Sequence, residues 1–370
     1  WRDRRAASRV AARRVERPGA GPAAGPTPQL GVGGIDGVET LGELWRRLFP
    51  PGHGDDIDWQ AAGAATALES RLTIISGGPG TGKTTTVVRM LALLHAAGAP
   101  NAEQKAPKFE LAAPTGKAAA RLVEAIHGQL AELARGGLDL RPRLGAIQAK
   151  TLHRLLQYSP RSNRFGRNGE RPLTCDVLVL DEASMVDLLM MDAVLEALPA
   201  AARLVLLGDR DQLSSVDAGF VFGDLCTAAG LGSGPPRLSA EQARSYRRFG
   251  SSSPRRPGPE IPVAAPGLDA AGGLPRCGVE LQVSYRFRSR PGIGALARAL
   301  RRGDGARAVE VLADPALPEV RRFDPPRAPL DVAAPVAGAL GAVFAGPDAA
   351  AALAALDRFR ILCATRTGRW

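Results

Sequence analysis

The sequence predicts an α/β fold built on a parallel sheet, and three observations predict it. Four aliphatic runs, near residues 72–76, 109–113, 176–181 and 203–208, are continuous rather than alternating, as in strands buried on both faces. The runs break at glycine or polar residues, and a segment of helical spacing such as Val87–Leu94 follows. The first run, Leu72-Thr73-Ile74-Ile75, is joined to that helix by Ser76-Gly77-Gly78-Pro79-Gly80-Thr81-Gly82-Lys83-Thr84-Thr85-Thr86. Strand, glycine loop and helix in this order is the context that G-x-x-x-x-G-K-[ST] requires.

That loop predicts nucleotide binding. Gly77, Gly78, Pro79, Gly80, Thr81 and Gly82 let successive backbone N–H groups curl around phosphate oxygens, and the helix opening at Lys83-Thr84-Thr85 adds its positive dipole end. Lys83 is then placed to reach the β/γ-phosphates, and the Thr84 hydroxyl to hold Mg²⁺, so ATP with Mg²⁺ is the expected ligand.

The third run, Cys175-Asp176-Val177-Leu178-Val179-Leu180-Asp181-Glu182, ends in two carboxylates 98 positions after Lys83. Asp181 is expected to carry the metal through its water shell and Glu182 to polarise the attacking water. The competing explanation is an acidic first helical turn. The fourth run breaks at Gly208-Asp209-Arg210-Asp211-Gln212, where Gln212 is placed either to sense the γ-phosphate or to cap the loop. Together these elements describe a hydrolase rather than a passive binder.

Composition agrees with a polyanionic partner without deciding it. Lys+Arg 48 against Asp+Glu 37 leaves a net charge of +11 over 370 residues. The hydrophobic content of 45% is enough for two or more cored domains. Cys175, Cys226, Cys277 and Cys363 form no C-x-x-C, and His53, His95, His127 and His153 are scattered, which argues against iron–sulfur, disulfide and zinc frameworks and suits a reducing cytoplasm. The longest apolar stretch, Val332–Pro347, is Ala/Gly-rich, is broken by Pro335 and is too short for a membrane span. The Arg-rich opening residues mimic a transit peptide, but a chain starting at Trp1 is expected to be an internal piece.

The expected organisation is a basic helix over 1–17, a Pro/Gly/Ala linker over Pro18–Gly34 and two helices within 37–70, the first 55 residues being the remnant of an N-terminal domain. A first ATPase lobe follows over 56–232. Residues 233–278, rich in Gly, Pro, Ser and Arg, read as a flexible insertion. A second lobe starts near Val279 and runs to residue 370, with helices over Gly292–Arg302 and Leu330–Asp357 and a strand at Phe359–Ala364. Within 157–172, Pro160, Gly166 and Asn168-Gly169 are turn signals, and Tyr158 and Phe165 suit short strands, so this segment reads as a β-hairpin or as a basic surface loop.

Six blocks in order carry a resemblance. Gly77–Val87, Leu111–Leu122, Thr151–Leu156, Asp176–Asp187, Leu207–Val216 and Ser284–Phe287 with Gly292-Ile293-Gly294 resemble the superfamily 1 DNA helicases, most closely the RecD family, the alpha subunits of bacterial exodeoxyribonuclease V. The resemblance implies two RecA-like lobes, the second incomplete here, and ATP-driven 5′→3′ movement along single-stranded DNA entered from duplex ends. It also implies partner subunits that hold the nuclease, a role in double-strand-break repair and recombination, and a bacterial, nucleoid-associated location.

Residue by residue, the resemblance implies that Pro114, Thr115, Gly116, Lys117 and Arg121 touch single-stranded DNA, with backbone N–H groups and two cations meeting phosphates. Thr151 and His153 match a second DNA-contacting block, although a histidine here suits a structural role equally well. Arg286 matches the arginine that reaches the γ-phosphate from the second lobe, with Arg288 and Arg290 close by. Gln60, preceded by Trp59, resembles the glutamine that reads the adenine edge, and the hairpin resembles a strand-separating pin. The later helicase blocks are absent before Trp370, so the isolated 370 residues are expected to bind ATP·Mg²⁺ without unwinding. Two alternatives stay open: another nucleic-acid-remodelling P-loop ATPase, and a truncated ATP- and DNA-binding scaffold.

Overall fold

The structure, a computed structural model, describes residues 40–50, 57–98, 106–212, 220–232, 234, 236–250, 262–263, 277–287, 289–320, 322, 336–338, 340–341 and 343–358. The expected basic helix over 1–17, the linker to Gly34 and the strand at Phe359–Ala364 lie outside these residues. The chain divides into two compact units, Trp1–Ser289 and Arg290–Trp370.

The described part of the first unit opens with α1 (Leu41–Leu48), started by a capping box in which the Thr40 hydroxyl accepts from the Glu43 N–H and the Glu43 carboxylate accepts from the Thr40 N–H. There follow α2 (Trp59–Glu69), β1 (Leu72–Gly77), α3 (Lys83–Gly98), β2 (Phe109–Ala113), α4 (Gly116–Arg135), α5 (Arg141–Leu144), β3 (Ala149–Thr151) and α6 (Leu152–Leu155). A hairpin of β4 (Tyr158–Ser159) and β5 (Arg164–Phe165) precedes β6 (Val177–Leu180), α7 (Leu188–Ala197), β7 (Arg203–Gly208), α8 (Val221–Ala228), α9 (Ala240–Gly250) and β8 (Gly278–Leu281).

Six strands form one parallel sheet in the order β3-β2-β6-β7-β1-β8. Its continuous apolar runs have a direct cause: both faces are covered. Along β6, Val177 and Val179 enter a core with α1 to α4, while Leu178 and Leu180 enter a second core with α7 and α8. One strand, β7, separates the phosphate-loop strand β1 from the Asp181 strand β6. This is the RecA-like arrangement.

Two expectations are corrected here. The boundary placed at Val279 falls inside the sheet: β8 pairs with β1 from Ile74↔Gly278 to Gly77↔Leu281, and the first unit continues to Ser289. The segment read as a flexible insertion contains α9, which is part of the core. Gln242 Nε2 donates to Thr66 Oγ1 (3.2 Å) and to Gly278 O (2.9 Å), and Phe249 stacks on Trp45 at 5.1 Å. The buried face of α9 is made of Gln242, Ala243, Ser245 and Phe249, so it lacks the aliphatic stripe that marks a core helix in sequence.

The described part of the second unit contains α10 (Pro291–Arg301), α11 (Gly305–Ala313) and α12 (Ala349–Asp357). Pro291 opens α10, while Asp304 and Asp348 cap α11 and α12.

Candidate active site: a phosphate loop on the carboxyl edge of the sheet

In a parallel sheet all strands end on one edge, so the segments leaving that edge meet there. The phosphate loop leaves β1, Pro114–Lys117 leaves β2, Thr151–His153 leaves β3, Asp181-Glu182 leaves β6, Asp209–Gln212 leaves β7 and Ser284–Arg286 follows β8. Segments as far apart in sequence as Pro79 and Ser284, 205 positions, thus share one edge.

The loop has the backbone its glycines predict. Gly80 and Gly82 sit at φ +76° and +83°, a region costly for any residue with a Cβ. Thr81 closes the turn by donating its hydroxyl to Gly78 O at 2.9 Å. Lys83 Nζ donates to Gly77 O and Gly78 O, which places its ammonium in the mouth of the loop. Thr84 and Thr85 lie half-buried in the first turn of α3.

Gln60 sits on the outer side of the loop, 7% exposed. Its Nε2 donates to Thr81 O and its Oε1 accepts from Arg89 Nη1, both at 3.2 Å. A Cβ at residue 82 would lie 2.1 Å from Gln60 Nε2, so the glycine makes room for this brace. Reading an adenine edge requires Gln60 to exchange these bonds. Arg89 also lies 5.2 Å from the centroid of the Phe49 ring, and burial holds its guanidinium below the ordinary arginine value.

Arg286 stands on the phosphate loop itself, within the first unit. Tyr285 N–H donates to Gly80 O at 2.8 Å and Ser284 Oγ to Pro79 O at 3.0 Å, and a Cβ on residue 80 would lie 2.3 Å from Arg286 Cβ. The resemblance implied an approach from the second lobe. The stretch after β8 is instead clamped to the loop by one backbone bond and one from the Ser284 hydroxyl, leaving the Arg286 side chain exposed.

At the end of β6, burial pushes the Asp181 carboxyl up to about 6, and the Glu182 charge adds to this, while the Glu182 N–H and Lys83 work against it. The half-buried Asp181 carboxylate, within the field of Lys83, and the Thr84 hydroxyl are oxygen donors of the kind that suits a magnesium-bound triphosphate. Glu182 itself adopts φ +51°, ψ +40°, a left-handed conformation unusual for glutamate that turns the chain into the 3₁₀ turn Ala183–Met185. Ser184 Oγ then donates to Gln212 Oε1 at 2.8 Å, linking this turn to the end of β7. Sequence reasoning gave Ser184 no role, although it lies in the strand-ending Asp-Glu-Ala-Ser run.

The two DNA-matching blocks are neighbours. Ala113 on β2 is in register with Thr151 on β3, so Pro114–Lys117 and Thr151–His153 emerge side by side. Thr115 Oγ1 accepts from Ala118 N–H and Thr151 Oγ1 from Arg154 N–H, capping α4 and α6. Each hydroxyl keeps its own proton to donate. Thr115, Gly116, Lys117, Arg121 and His153 are exposed, with Pro114 and Thr151 half-buried. Among the described residues no cluster of metal-ligating side chains occurs, and no helix is long and apolar enough to cross a membrane.

The AAA domain family matches residues 60–218, the span from Gln60 past Gln212. The chain is 41% identical over 324 residues to the RecBCD enzyme subunit RecD of Mycolicibacterium smegmatis, covering 87% of this chain and 49% of that protein. It is 37% identical over 273 residues to the protein of the same name from Haemophilus influenzae, covering 73% and 39%. Among solved structures, the Pif1 helicase from Candida albicans aligns at 17% identity and a TM-score of 0.36, covering 77% of this chain and 54% of that one. The chain spans about half the length of the curated relatives it matches, or less. By sequence, therefore, this chain is similar to the RecD subunits over most of its own length.

Proposed function

We propose that this chain is the ATP-binding motor segment of a DNA helicase subunit that moves 5′→3′ along single-stranded DNA, within an exodeoxyribonuclease V-type complex of double-strand-break repair and recombination. In this reading it works in the bacterial cytoplasm, at the nucleoid, and nuclease activity belongs to a partner subunit. The supporting observation is the shared edge of the sheet: a phosphate loop, the half-buried Asp181-Glu182 pair and the exposed segments after β2 and β3 all leave the carboxyl ends of strands in one parallel sheet. Similarity to RecD subunits supports the same assignment.

In this proposal the loop N–H groups and Lys83 hold the ATP phosphates, and Lys83 exchanges its bonds to Gly77 O and Gly78 O for phosphate oxygens. Thr84 and Asp181 would hold Mg²⁺, which supplies charge neutralisation on the β/γ-phosphates. Glu182 orients water for attack, and Arg286, already on the loop, neutralises charge developing on the γ-phosphoryl group. Gln212, tied to Ser184, reports the state of the Glu182 turn to β7. Pro114, Thr115, Gly116, Lys117, Arg121, Thr151 and His153 bind the strand. The first compact unit is one motor lobe and the second unit belongs to the other.

Lys83→Ala tests the reading. Loss of ATP binding and of DNA-stimulated hydrolysis, with an unchanged circular dichroism spectrum, is expected, because the Lys83 ammonium bonds only to loop carbonyls among the described residues. Undiminished ATP binding by that variant would overturn it.

A further inference from the structure

The hairpin β4–β5 is too short to stand on its backbone. Tyr158 pairs with Phe165 and Ser159 with Arg164, and the ladder ends there. A column of three rings supports it instead. Phe165 packs against the apolar core on the α7 and α8 side of the sheet. Tyr158 lies against Phe165 with centroids 5.4 Å apart and planes at 50°. His153, from α6, meets Tyr158 nearly perpendicular at 5.1 Å and 81°. The Tyr158 hydroxyl donates to Asn163 Oδ1 at 2.6 Å, closing a turn in which Asn163 takes the left-handed conformation that asparagine tolerates.

The column runs from core to solvent: Phe165 and Tyr158 are half-buried and His153 is exposed. Arg154, Arg161 and Arg164 are exposed around it and form no ion pair among the described residues. The α6 turn that carries His153 begins at Thr151, in register with Ala113, so the outer ring stands beside the amino end of α4.

We infer that His153, Tyr158 and Phe165 form a base-stacking post for single-stranded DNA, with one nucleobase stacking on His153 and Arg154 and Arg164 neutralising adjacent phosphates. Aromatic rings interleaved with cations are the pattern by which single strands are held without sequence preference. This rests on the proposed action on DNA and adds its chemistry: the contact is with a base, through rings anchored in the core, so the hairpin is a fixed post.

The test is equilibrium binding of a fluorescent oligothymidylate to the full chain at one fixed pH, across a salt series. His153→Ala should weaken binding about tenfold, the scale of one base–aromatic stack, without changing the salt slope. His153→Phe should restore it. Arg154→Ala or Arg164→Ala should lower the salt slope by about one. On an abasic strand of equal length, His153→Ala should bind like wild type. If His153→Ala matches wild type on oligothymidylate, or loses equally on the abasic strand, the post is wrong while the DNA reading stands. Failure of the wild-type chain to bind either strand would overturn both.

Discussion

Replacing Asp181 by asparagine should stabilise the nucleotide-free protein while removing its hold on magnesium. Burial raises the Asp181 carboxyl from 3.8 to about 6. Each pH unit of such a shift corresponds to about 1.4 kcal/mol between protonation states. With a discount for the solvent that still reaches a half-buried side chain, keeping this carboxylate charged at neutral pH costs the fold on the order of 1–2 kcal/mol. The folded value lies above the unfolded one, so this cost is absent below about pH 4, grows between pH 4 and 6, and is full above pH 6. Urea unfolding in EDTA should therefore place Asp181→Asn above wild type at pH 8, by roughly half a molar in midpoint, with the gap shrinking towards pH 5. Adding Mg²⁺ to an ATP-containing sample should raise the wild-type midpoint further by mass action and leave the variant at its metal-free ATP value. A variant less stable than wild type at pH 8, or a gap of equal size at pH 5 and pH 8, would refute the charge argument.

Three further outcomes follow from the same geometry. Gly80→Ala places a Cβ at φ +76° against Arg286 Cβ, so nucleotide affinity and hydrolysis should fall together, at least tenfold; an unchanged ATP titration would show that the clamp after β8 is unimportant. Arg286→Ala should slow hydrolysis by about 10³-fold while ATP binding changes only a few-fold, as single-turnover kinetics will resolve; equal losses in both would make Arg286 a binding residue only. Gln242→Leu strips the partners from Gly278 O and Ser239 N–H and should cost about 2–4 kcal/mol, read as a lowered Tm; an unaltered Tm would remove α9 from the core.

Local pattern carried much of this protein. The four predicted strands appear at Leu72–Gly77, Phe109–Ala113, Val177–Leu180 and Arg203–Gly208, because burial on both faces demands an uninterrupted aliphatic run that is visible residue by residue. Turn chemistry marked the phosphate loop in the same way, since Gly80 and Gly82 supply backbone angles that other residues resist. These signals span a dozen residues or fewer and need no partner. Composition, by contrast, misread α9, whose arginines face solvent while Gln242 bonds to Gly278 O and Ser245 to the Glu69 carboxylate on α2.

Tertiary structure decided the rest, because the contacts concerned join distant positions. Gln242 reaches Thr66 across 176 positions and Ser284 reaches Pro79 across 205. A hydrogen bond at that separation leaves no period or motif in either segment. Strand order belongs to the same class: the sequence by itself determined the four central strands and the glycine loop that follows the first of them. Only folding brought β8 beside β1, set Arg286 on the loop, turned Gln60 into its brace and set His153 edge-on against Tyr158. The physical reason is that backbone preferences act between neighbours in the chain, whereas burial and hydrogen-bond satisfaction act between neighbours in space.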